Sequence, residues 1–157
     1  MSCVARCVLA SLVASALAIG CPDASLAQQK AGARFEASYK YDKPGVQLDG
    51  VLTERKVYGP PGYGETPAKD TRTTILVLKL ARPISVEPPP NAEANGSANL
   101  DGAKNVREVQ LFISHSLSLN SKELVGRSVA VTGTLNESIT ASQYTKVWLE
   151  VKTLSAQ

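Results

Sequence analysis

The 157-residue sequence carries 17 basic and 14 acidic residues, a net charge of +3, with 43% hydrophobic residues and a single histidine. That length fits one domain, and so mild a charge argues against nucleic acid as a partner. All three cysteines (Cys3, Cys7 and Cys21) precede residue 28, so the chain beyond that point has no thiol or disulfide and must stand on its core.

The first 27 residues read as a signal peptide. Arg6 lies in a short polar start, and the apolar run from Cys7 to Ile19 is too short to span a bilayer. Ser25-Leu26-Ala27 is a small-x-small cleavage site that would leave Gln28 first, in a periplasmic or secreted protein. Lipid attachment at Cys21, after Leu17-Ala18-Ile19-Gly20, is the alternative; Ala18 fits poorly where a larger aliphatic is usual. Cleavage removes Arg6 together with Asp23, so the net charge is unchanged. About 130 residues remain, enough to bury roughly two-thirds of the unfolded surface. Residues 28–42 are expected to be a flexible segment and 43–157 the folded domain.

Residues 46–53 alternate apolar and polar up to Gly50, where the phase slips; a glycine there predicts a bulge or sharp bend in a first strand. A loop from Gly59 to Arg72 follows, dense in Gly59, Gly62, Gly64, Pro60, Pro61 and Pro67. Glycine opens backbone angles closed to other residues and proline fixes φ, so this loop is shaped and not slack. Thr73 to Leu80, extending toward Val86, is a nearly continuous apolar second strand that Pro88-Pro89-Pro90 ends. Asn91 to Asn105 has few large apolar side chains and reads as a mobile loop with room for a short ordered piece.

The third strand, Val106 to Ile113, sets Val109, Leu111 and Ile113 on one face and Glu108, Gln110 and Phe112 on the other. Asn120 to Gly126 predicts a capped helical turn, with Asn120 as N-cap, Glu123 reaching back and Gly126 as terminator. The fourth strand (Ser128–Leu135) turns Val129, Val131 and Leu135 inward, and the fifth (Thr145–Lys152) turns Val147, Leu149 and Val151 inward. Five strands with a helical turn between the third and fourth is the order of an oligonucleotide/oligosaccharide-binding (OB) barrel, and Leu124 to Leu135 resembles the fourth strand of such barrels. The expected fold class is therefore all-β, a small five-stranded OB-like barrel, with an open sandwich of the same strands as the alternative.

No nucleophile–base pair, metal cluster or phosphate loop stands out, and no cofactor is expected. His115 is the single histidine, so an ordinary zinc site cannot be assembled, and its neighbours Ser114 and Ser116 on a strand would face away from it. Glu65 and Asp70 could join loop carbonyls around calcium, but their spacing matches no recognised loop. Binding is the stronger reading. OB barrels meet ligands on the second and third strands and in the first–second and fourth–fifth loops. Tyr58, Tyr63, Glu65, Asp70, Arg72 and Tyr144 are the candidate binding residues there; the competing view is that the tyrosines only brace the barrel mouth.

The runs Gly50-Val51-Leu52-Thr53-Glu54-Arg55, Tyr58-Gly59-Pro60-Pro61-Gly62-Tyr63-Gly64-Glu65-Thr66-Pro67, Asn105 to Leu111 and Val129 to Leu135 resemble a bacterial family of exported proteins, the domain of unknown function family numbered 4431. The resemblance implies a small secreted or envelope domain without an established activity. Members of that family often carry histidines between the fourth and fifth strands, whereas Asn136 to Tyr144 holds none, which puts a metal role in doubt for this chain. The expectation is a monomeric or weakly associating module that binds an envelope glycan or a protein, without catalysis, without nucleic acid and without a transmembrane span. A structural envelope-stress protein and a hydrolase with an unrecognised site are the alternatives.

Overall fold

The computed structural model describes residues 36–157. The leader, both processing sites and the three cysteines lie outside the described residues. The elements are β1 (Ala37–Lys40), β2 (Val46–Tyr58), β3 (Arg72–Glu87), β4 (Ala103–Phe112), α1 (His115–Leu124), β5 (Ser128–Glu137) and β6 (Val147–Ala156). Strands β2 to β6 are the five expected from sequence.

Those five close on themselves. β2 pairs antiparallel with β3, β3 with β4, β5 with β6 and β2 with β5, while β4 runs parallel to β6. This is the closed OB-like barrel, and closure removes the open edges that an all-β domain of this size would otherwise expose. Its interior holds Leu52, Leu78, Val109, Val129, Val131, Leu135, Val147 and Leu149, all at 0% exposure. The β-branched alternation of β5 and β6 puts every second side chain into that core, as the sequence period requires. No helix among the described residues is long and apolar enough to cross a membrane.

Gly50 explains how one long strand serves two sides. It pairs with Leu80 of β3 on one side and with Val129 of β5 on the other. The expected phase slip does not occur, because Val46, Leu48, Gly50 and Leu52 are buried in unbroken alternation. Glycine takes an inward position where a Cβ would lie 2.3 Å from the Lys79 carbonyl oxygen, so the strand can bend only where no side chain intervenes. The inward turn of Gly50 therefore keeps the strand in phase and lets the Lys79 backbone approach it closely.

Three other expectations need correction. Residues 37–42, read as part of a flexible segment, are ordered: β1 pairs in parallel with Ile84–Glu87, the Tyr41 amide donates to Glu87 O at 3.0 Å and the Asp42 amide to Leu135 O at 3.1 Å. Tyr41 is 1% exposed and packs into the barrel core. Burial first, and then the carboxylates of Glu137 and Asp101, push its phenol up to about 12. Next, the helix starts at His115 with Ser114 as N-cap, so Asn120 lies inside it and His115 is helical. Leu117 and Leu124 pack against the core, and this tertiary contact lengthens a helix that local capping chemistry placed too late. Gly126 does follow the helix at φ 83. Finally, the segment 91–105 is pinned by Asn99, which is 6% exposed: its Nδ2 donates to Asp42 Oδ1 and its Oδ1 accepts from the Glu137 amide at 2.6 Å. Glu137 in turn accepts from the Leu100 and Asp101 amides at 2.9 and 3.0 Å.

Candidate recognition site

The loop between β2 and β3 springs from a paired base, since Tyr58 and Arg72 are register partners at the ends of the two strands. Its closure rests on Asp70. Asp70 Oδ1 accepts from the Gly62 amide and Oδ2 from the Gly64 amide, both at 2.7 Å, and the Thr66 hydroxyl adds a longer bond at 3.3 Å. A Cβ on Gly62 would sit 2.8 Å from Asp70 Oδ1, so glycine is what lets the backbone approach the carboxylate. Further bonds run from Gly59 N to Thr71 O at 2.8 Å and from Thr71 N to Pro60 O at 2.9 Å. The Pro60–Pro61 peptide is cis.

Desolvation works to raise the Asp70 carboxyl, but the amides of Gly64 and Gly62 with Thr66 together outweigh it and hold the group below its ordinary value. A carboxyl lowered on folding adds order that is complete above its unfolded pKa and lost as pH falls through the folded one. The loop should therefore keep its shape across neutral and mildly acidic pH and loosen only below the ordinary aspartate value of about 3.9. Amide NMR signals of Gly62 and Gly64 give the readout, with Asp70→Asn showing the loosened positions already at neutral pH. A titration midpoint near 5 or 6 for those amides would count against the clip.

The expected site residues separate into three groups. Tyr58 and Arg72 form a stack: the Arg72 guanidinium carbon lies 3.6 Å from the Tyr58 ring centroid, and Nη2 donates to Tyr58 Oη at 2.7 Å. Tyr144, from the β5–β6 loop, donates its hydroxyl to the Tyr58 carbonyl, which ties the two loops together. Burial first, and then the charges of Tyr63 and Asp70, raise the Tyr144 phenol above its ordinary value. Glu65 is exposed, and its amide donates to Gly62 O at 3.0 Å. Asp70 gives one oxygen to each of the Gly62 and Gly64 amides, so its carboxylate serves the loop backbone. Among the described residues there is no group of three His, Cys, Asp or Glu side chains able to hold a metal ion.

Tyr63 is the odd member. Its φ is 50, in the left-handed region that favours glycine or asparagine, yet the residue is 38% exposed.

Gln110 is a site residue that the sequence did not single out. It was placed on the outer face of its strand, and it is there, but it is only 2% exposed. The β5–β6 loop lies over it: Gln110 Oε1 accepts from the Tyr144 amide at 2.7 Å, and Nε2 donates to Ser142 O at 3.2 Å. Its own amide donates to Thr145 Oγ1 at 3.0 Å. Its register partner Val77 is fully buried although it lies outside the barrel core. The outer face of β3 and β4 is thus partly covered by the chain itself, with Tyr144 fixed at the edge of the cover. A glutamine in alternation with apolar residues carries no sign of a lid that arrives from 34 residues away.

The Ser114 and Ser116 hydroxyls lie 3.0 Å apart at the start of α1. No family model matches the chain, and searches of curated proteins and of solved structures likewise return no match.

Proposed function

We propose that this domain is an exported, non-catalytic binding module that seats an envelope component or a protein partner on the β2–β3 loop beside Tyr144. Tyr63 carries the reading. A left-handed backbone at a non-glycine residue costs roughly 1–3 kcal/mol and persists only where its surroundings hold it. Here the Asp70 clip holds it. Neither backbone preference nor full burial accounts for a tyrosine at that position, because glycine would suit the turn and the residue stays exposed. A held aromatic on a stiff loop loses little freedom on binding, which favours affinity. Export belongs to the same proposal and rests on the leader reading of residues 1–27. So does the resemblance to family 4431, which adds an envelope setting and no activity.

A structural role without a discrete ligand is the second reading, and it is favoured by the internal bonds that occupy Tyr58 and Tyr144. Co-sedimentation with isolated bacterial envelope material separates the two. Wild-type protein should be retained, and Tyr63→Ala should lose at least about tenfold in retention with a thermal midpoint within a few degrees. Retention untouched by Tyr63→Ala, or a midpoint that falls as far as for a core truncation, would favour the structural reading.

A further inference from the structure

We infer that the ligand seated on this loop carries an anionic group, a carboxylate or a phosphate, that docks on Arg72. The inference rests on the binding-module reading above and specifies the chemistry of its ligand. Arg72 is exposed, yet it is not loose. It extends from the strand pair at the foot of the loop, and its guanidinium is laid on the Tyr58 ring at 3.6 Å and anchored by Nη2 to Tyr58 Oη. Guanidinium has five N–H donors, and among the described residues one bond to Tyr58 is what engages them. Among the same residues no carboxylate pairs with it, whereas Arg55 on the adjacent strand is paired with Glu108. The carboxylate on its own loop, Asp70, is taken by two glycine amides and the Thr66 hydroxyl.

A planar guanidinium held by these two contacts, weakly hydrated and with donors to spare, matches the two oxygens of a carboxylate or phosphate. Because these two contacts restrain the side chain in advance, less of its freedom remains to be lost when the anion arrives. This charge and the exposed Tyr63 belong to the same β2–β3 loop and its base, and Tyr144 bonds the Tyr58 carbonyl beside them. A ligand meeting both would present an anion beside a flat or apolar surface.

NMR titration of the full chain with glucuronate, glucose 6-phosphate and uncharged glucose tests this, because the three probes share a ring and differ in charge. Glucuronate or glucose 6-phosphate should shift the Tyr58, Thr71 and Arg72 amides with millimolar affinity, and glucose should not. The more effective of the two identifies carboxylate or phosphate as the source of charge. Arg72→Gln should weaken that binding by about tenfold or more, and Arg72→Lys should fall between because it keeps the charge without the fork. Equal shifts from glucose, or binding unchanged in Arg72→Gln, would overturn the anion while leaving the loop as a recognition site. Absence of any shift, with Tyr63-dependent envelope retention intact, would overturn the anion alone. If both measurements fail, the binding-module reading falls with it.

Discussion

Leu149→Ala is expected to destabilise the domain by about 2–5 kcal/mol, while Lys146→Ala, three residues earlier, should cost less than about 0.5. Leu149 is 0% exposed and has Leu111 of β4 and Leu135 of β5 as its register partners on either side. The β4–β6 pairing is the single parallel ladder among the barrel strands, with register partners at Gln110–Trp148, Leu111–Leu149 and Phe112–Glu150. Truncating Leu149 removes its transfer free energy and leaves a cavity at the seam where the barrel closes, and the paired strands on both sides limit collapse into it. Lys146 is exposed just before β6 begins, so little packing is lost there. Denaturant unfolding compares the two directly. Equal losses would mean that β6 does not face the core with the phase seen here.

The inward phase of β5 and β6 was legible because alternating β-branched residues leave only one face able to form a core. The stiffness of the β2–β3 loop was legible in its glycines and prolines, although the carboxylate that clips it was not. Asp70 looked like a candidate ligand, and only the folded loop brings the Gly62 and Gly64 amides to its oxygens. β1 was missed because four residues with two tyrosines nearby resemble a linker; their partner, Ile84–Glu87, lies far along the chain. Asn99 was hidden for the same reason. Its partners Asp42 and Glu137 are 57 and 38 residues away, and an asparagine in a Gly- and Ala-rich stretch looks like turn chemistry. The helix start was misplaced because a cap pattern reports local preference, while packing of Leu117 sets the actual length.

Gln110→Ala is expected to cost about 1–3 kcal/mol and, beyond that, to release Tyr144 from the candidate site. The side chain sits at 2% exposure with its acceptor on the Tyr144 amide and its donor on Ser142 O. Truncation leaves both backbone groups without those partners under a closed loop, and an unmade buried hydrogen bond costs more than a made one contributes. The Tyr144 hydroxyl, bonded to the Tyr58 carbonyl, would then be the main tether holding the β5–β6 loop against the β2–β3 loop. Gln110→Glu separates packing from hydrogen bonding, since a carboxylate still accepts from the Tyr144 amide but can no longer donate to Ser142. The alanine variant should speed hydrogen exchange at Tyr144 and reduce envelope retention well beyond its effect on the unfolding midpoint, with the glutamate variant closer to wild type at the Tyr144 amide. Gln110→Ala is a positioning change, so the Tyr58, Thr71 and Arg72 amides should keep their anion response. If exchange at Tyr144 stays slow in Gln110→Ala, the loop is held from elsewhere, and Gln110 only fills space between the sheet and its cover.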